Sequence, residues 1–159
     1  MAYTTPKTFT AGSVLTASEM NTYVSDNTAA LAARAYFVPL TTPLTSTSWD
    51  GDARSTTAKT LIDLSEVFSV PAGVKAILAR ISARDSASAG TQSLYFALSP
   101  NDGVLSHAMA VKPSGLTNDY VADAVGIDPC DANGDVYYQI NASGTNTMDC
   151  YLEIWGYWL

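Results

Sequence analysis

Charge is scarce in this sequence of 159 residues: Asp, Glu, Lys and Arg together make 14 % of it, against roughly 25 % in ordinary soluble domains. Basic residues are scarcer than acidic ones, 8 against 15, so the net charge is −7. Such a chain lacks the cationic surface that neutralises phosphates, which excludes nucleic acid as an expected partner and disfavours anionic lipid surfaces for the same reason. Cysteine is limited to Cys130 and Cys150. Two are too few for the stapled scaffolds of small secreted proteins, and the expectation is two buried thiols, with a single bridge as the alternative if their strands are neighbours. No apolar run approaches the length of a membrane span, and the first ten residues lack the apolar stretch of a secretory leader. Membrane insertion is therefore not expected, and the chain reads as made in a cytoplasm.

Catalytic patterns are equally thin. No Gly-x-Ser-x-Gly elbow surrounds a serine, and no phosphate-binding glycine pattern follows a strand. His107 is the only histidine. It cannot complete a zinc site with two distant cysteines, and beside Ala108 and Met109 in an apparent strand it reads as structural. Glutamates occur only at Glu19, Glu66 and Glu153, and a lone carboxylate such as Glu153 does not make a glycosidase pair. The reading is of a non-enzymatic chain without a cofactor. Asp128, Asp131, Asn133 and Asp135 form the best metal candidate, because oxygen ligands at 131, 133 and 135 resemble the opening of a calcium loop. Val136 stands where that loop needs glycine, and Asn133-Gly134 is by itself a strong two-residue hairpin signal. The hairpin is the favoured reading and calcium the weak one.

What the sequence holds instead is Ser and Thr, 34 in all, and nine Tyr. Thr and Tyr suit a pleated, half-buried surface, so β structure is expected. Residues 1–15 read as an extended arm. Thr16-Ala17-Ser18-Glu19 then spells a capping box, with Leu15 and Met20 at the flanking positions of a hydrophobic staple. The helix it opens should run to about Ala33 or Arg34. Its apolar stripe, Ala17, Met20, Val24 and Leu31, contains Asn27 in the same 3-4 series, which is the spacing of a short coiled-coil seam, where a polar residue fixes register and oligomer number. A helix of roughly 17 residues is marginal alone, so a partner surface is expected. The other reading is an ordinary surface helix with a narrow apolar face.

Residues 36–57 read as a linker rich in Thr, Pro, Ser and Gly. From about residue 58 the period changes to two. Ile77, Ala79, Ile81 and Ala83 point one way, and Arg80, Ser82 and Arg84 the other; Leu94, Phe96 and Leu98 share a face. Further short strands are expected at 61–64, 67–70, 107–112, 120–127, 136–141 and 149–159, separated by turn signals. About eight strands with no helical period between them predict an antiparallel β-sandwich of jelly-roll type over residues 58–159. In the last strand, Leu152, Ile154 and Trp158 fall on one face and Tyr151, Trp155 and Tyr157 on the other. Neither face is polar. Core or subunit interface is the first reading of the second set, and a platform for sugar rings the other.

The stretch Phe9 to Asn27 resembles a recurring N-terminal segment of tailed-bacteriophage virion proteins of tail-fibre, head-fibre and decoration type. The matching residues are Gly12, Leu15, Thr16, Ala17, Met20, Asn21, Val24, Asp26 and Asn27, with Phe9 where Trp is common. Val70-Pro71-Ala72-Gly73 and the ending Gly156-Tyr157-Trp158-Leu159 look, more loosely, like C-terminal sandwich modules of such proteins. The resemblance implies a virion protein that anchors and oligomerises, commonly as a trimer, through an N-terminal segment; within residues 1–35 the expected contacts are Phe9, Leu15, Met20, Val24, Asn27 and Leu31. It also implies other virion proteins as partners and a displayed sandwich. A host-surface glycan is the further partner that outward aromatics would suit.

Overall fold

The computed structural model describes every residue except 1–3, 6, 9, 33–35, 91–92 and 104–106. The chain forms two compact units, residues 1–36 and residues 37–159.

In the first unit Thr16 caps helix α1 (Ala17–Glu19) with the reciprocal bonds of a capping box. The Glu19 N–H donates to Thr16 Oγ1 at 3.2 Å, and the Thr16 N–H donates to Glu19 Oε2 at 3.0 Å. The helix then widens into a π-helical stretch, Met20–Ser25, before resuming as α2 (Asp26–Ala32). Thr22, Tyr23 and Val24, three residues of modest helix propensity, occupy the widened turns. The expected end at residues 33–34 lies outside the described residues.

The second unit holds nine strands: β1 (Phe37–Leu44), β2 (Asp50–Arg54), β3 (Thr57–Ile62), β4 (Ala76–Asp85), β5 (Tyr95–Ser99), β6 (Met109–Val111), β7 (Ala122–Pro129), β8 (Val136–Asn141) and β9 (Met148–Trp158). One sheet has the order β1-β9-β4-β7, with β2 also on β9; the other has the order β3-β8-β5-β6. The antiparallel pairs β5·β6, β4·β7, β3·β8 and β2·β9 are nested. That is the pattern of one long hairpin rolled into two layers, a jelly roll. Ile77, Ala79, Ile81 and Ala83 of β4 are fully buried between the layers, as their alternation predicts, and Leu94, Phe96 and Leu98 meet them from the other sheet. Each large aliphatic side chain buried this way contributes about 1.5–3 kcal/mol.

Four local expectations are corrected. Residues 36–57 are not a linker: β1 and β2 lie there and pair with β9. Both are edge strands, where Pro39 and Pro43 cost no ladder bond, and Gly51 (φ +90°) sits at a bulge of β2. Val67–Val70 is not a strand, because helix α3 (Leu64–Phe68) runs through it. The cap signal that reading missed is Asp63, whose Oδ1 accepts from the N–H groups of Ser65 and Glu66, both at 3.0 Å. Asn133-Gly134 does not join paired strands, since β7 and β8 belong to different sheets. Only Gly134 of the two has positive φ (+97°), so the turn is not the mirror-image type expected. The Asp131 carboxylate accepts from the N–H groups of Asn133, Gly134 and Asp135 instead, holding the crossover between layers.

The fourth correction concerns β9. Its pairing with β4 runs Ala79↔Ile154 and then Leu78↔Gly156, leaving Trp155 as an extra residue, a β-bulge. Beyond it the faces exchange. Tyr157 packs on the core, and Trp158 turns outward to meet Phe37, ring centroids 4.5 Å apart.

Gly134 fixes the crossover turn. A Cβ there would stand 2.6 Å from the backbone nitrogen of Gly73, at a φ that L-residues avoid. Gly134→Ala should therefore destabilise the sandwich by about 1–3 kcal/mol in urea unfolding, with the circular-dichroism spectrum of the folded state unchanged.

Candidate functional site

The residues singled out from the sequence fall in three places. In the first unit the expected contacts Leu15 (41 %), Met20 (43 %), Val24 (46 %) and Leu31 (52 %) are exposed, as are Val14 and Tyr36. Phe9 lies outside the described residues. Asn27 leaves the stripe, which corrects its expected role in a seam between subunits. The widened π turns rotate it away, and it is buried with its amide spent on its own chain. Thr4 N–H donates to Asn27 Oδ1 at 2.8 Å, and Asn27 Nδ2 donates to the Thr4 carbonyl at 2.7 Å and to the Tyr23 carbonyl at 3.2 Å. Lys7 of the arm pairs with Glu19. That bond, followed by the bonds from Thr16, holds the Glu19 carboxyl down to about 2. The described arm residues Thr4 and Lys7 are thus tied to the helix through Asn27 and Glu19, while Leu15, Met20, Val24 and Leu31 are exposed.

The acidic cluster after β7 does not converge. Asp131 is committed to the turn, and Asp135 Oδ1 accepts from the Leu64 N–H at 3.0 Å. Asn133 is exposed. Among the described residues no group of three or more acidic, His or Cys side chains is placed to hold a metal. Cys130 and Cys150 are both free thiols. Burial, with nearby carboxylates adding to it, pushes each up to about 12, so neither is a nucleophile at neutral pH. His107 precedes β6 rather than lying in it, is exposed, and meets Gln139 Oε1 at 2.9 Å.

The third place is the outer face of the first sheet. Here β9 presents Tyr151, Glu153 and Trp155 in succession, and β4 presents Arg80 and Ser82. A shallow cleft of about 290 Å³ on this face is lined by Asp50, Arg80, Ser82, Val121, Tyr151 and Glu153. The Arg80 guanidinium donates to Asp123 Oδ1 at 2.7 Å and to Glu153 Oε2 at 3.3 Å. Trp155 Nε1 donates to the same Glu153 oxygen at 3.2 Å, which sets the indole beside the cleft. The Ser82 hydroxyl, and then Arg80, hold the Asp123 carboxyl below the usual range. Tyr151 lies across Gly51, its ring and hydroxyl 2.7–2.9 Å from where a Cβ would be, so only glycine admits it. The sequence reading found Tyr151 and Trp155 through strand parity. It missed Arg80, Asp123 and Asp50, whose proximity depends on strand order. Tyr157, expected with them, faces the core because of the bulge.

A hollow of about 420 Å³ opens between the layers near β2 and β3. Arg54 closes its floor by stacking on buried Trp49, 3.8 Å from the ring centroid. No helix among the described residues is long and apolar enough to cross a membrane.

No protein-family model matches the chain, and no curated protein matches it.

Among the described residues of the sandwich two carboxylates are fully buried, and they behave oppositely. Burial pushes Asp85 up, but Ser143, Ala87 and Thr147 donate to it and hold it below the ordinary value. Asp128, on the inner face of β7, has no hydrogen-bond partner at either oxygen. Burial pushes it up to about 7, and the charge of Lys59 offsets only part of that. A folded-state value above the unfolded one means stability is complete below about pH 4 and is lost as the pH rises towards 7. Asp128→Asn should therefore melt near the wild type at pH 4 and gain about 2–4 kcal/mol over it by pH 8. Asp85→Asn should show the reverse trend, with its deficit largest at neutral pH and shrinking in acid; parallel melting curves at four pH values check both.

Proposed function

We propose that this chain is a non-enzymatic structural subunit of a tailed-bacteriophage particle, attached and self-associated through residues 1–36 and displaying the jelly roll. One observation carries the reading: the N-terminal unit uses polar groups to fold on itself, and Leu15, Met20, Val24 and Leu31 are each exposed. A short helix gains most of its stability from burying an apolar face, so exposed apolar side chains along one are a surface built for another polypeptide. The virion-type spelling of residues 9–27 supports the same assignment. The favoured assembly is a homotrimer docked on other virion proteins. A head fibre or decoration subunit and a tail-fibre module are both compatible with one small jelly roll behind a docking segment.

A second reading, recognition of a surface glycan, is favoured by a separate observation: Tyr151 lines a polar cleft on the outer face of the first sheet, and Trp155 is bonded to the Glu153 carboxylate in that lining.

Size measurement tests the first reading. The wild-type chain should run as an oligomer of its 16.8 kDa unit. Val24→Asp places a charge on the stripe and should yield monomer with the melting of the sandwich unchanged. A wild-type monomer, or a mutant that loses assembly and sandwich stability together, would overturn the docking role.

A further inference from the structure

The outer face of the first sheet combines features that select one kind of ligand. The cleft is concave, and its floor is polar: Arg80, Ser82, Asp50 and Glu153 bring donors and acceptors to a shared space. Tyr151 lines it, and Trp155 is bonded to the Glu153 carboxylate that lines it. Tyr151 and Trp155 lie four residues apart on β9, about 13 Å by strand rise, with Glu153 between them. Both rings are fixed, Tyr151 by its seat on Gly51 and Trp155 by its bond to Glu153. Trp155 is 37 % exposed, enough to offer a ring face to a ligand. Two held rings with polar groups between them match a molecule with apolar C–H faces and hydroxyl edges.

Charge narrows the class. Asp123 and Glu153 pair with Arg80 and Asp50 lines the same cleft, so carboxylates outnumber the one guanidinium, on a chain that is already acidic. Arg80 is already engaged by two of those carboxylates, so it offers no free fork for a carboxylate, sulfate or phosphate of a ligand. Carboxylates are acceptors only and suit hydroxyl donors. We propose that this cleft binds an uncharged oligosaccharide, its sugar faces on Tyr151 and Trp155 and its hydroxyls on Asp50, Glu153 and Arg80. The span between the rings calls for a short chain of sugars rather than a single one. The proposal rests on the glycan reading above and adds the ligand's charge class and the residues that hold it.

The test is calorimetry on the full chain with maltotriose, mannotriose and chitotriose as neutral probes, and sialyllactose and trigalacturonate as acidic ones. At least one neutral trisaccharide should bind with a Kd of about 1 mM or tighter. Glu153→Gln, which keeps shape and removes an acceptor charge, and Trp155→Ala should each weaken it by about tenfold or more. Val125→Ser, on the same face but outside the cleft, should leave binding unchanged. If Trp155→Ala melts early, Glu153→Gln alone decides. Binding of the acidic probes only, no neutral binding at millimolar concentration, or equal affinity in Glu153→Gln would each overturn the proposal. The oligomer size of the same samples separates this outcome from the docking role: an assembled chain that binds no sugar defeats only the ligand assignment.

Discussion

The sandwich depends on where β9 sits. It is flanked by β1 and β2 on one side and by the whole length of β4 on the other, so its backbone satisfies two neighbours at once. Met148, Cys150, Leu152 and Ile154 on its inner face are all buried. The bulge at Trp155 is what lets one strand serve both ends of the sheet. Before it, the outer face carries the ion-paired cluster of Arg80, Asp123 and Glu153. After it, the exchange of faces packs Tyr157 against the core and brings Trp158 against Phe37 at a tilt, with Phe37 over Gly156. Chemistry at one end and closure of the first edge at the other follow from a single inserted residue.

Two buried acids show how position decides the worth of a charge. Asp85 sits where the loop at 143–147 can donate to it, and the carboxylate ties that loop to the end of β4. Asp128 faces the core from an edge strand with nothing to receive it. The same residue type is thus a clasp in one place and a cost in the other.

Much of the architecture was legible in the sequence because it rests on local signals. The alternation of β4 and the capping box at Thr16 are periodicities and spacings that no distant residue can alter, and both stand in the structure. What escaped depended on context. β1 and β2 are written in Thr, Pro, Asp and Gly, which spell loop unless the strand lies at an edge and needs no alternation. Asn27 read as part of the stripe because an α-helical period was assumed, and a π segment breaks that period. Tyr157 was misplaced because strand parity fails across a bulge, and a bulge has no signature in one strand alone. For the candidate cleft, the β9 residues could be read from parity, but Arg80, Asp123 and Asp50 come from three other strands whose order only topology supplies.

The nested pairing of strands carries a consequence in time. β5 and β6 are near neighbours along the chain, whereas β9, the last strand of the fold to leave the ribosome, is needed in the middle of its sheet. Until it arrives, β4 has an open edge and an uncovered apolar face, and β1 and β2 have no partner. The jelly roll is therefore completed only after synthesis has passed its final strand, with the longest-range contacts formed last. Until then the vacant edge of β4 is an unpaired strand edge, the kind of template on which another chain can pair.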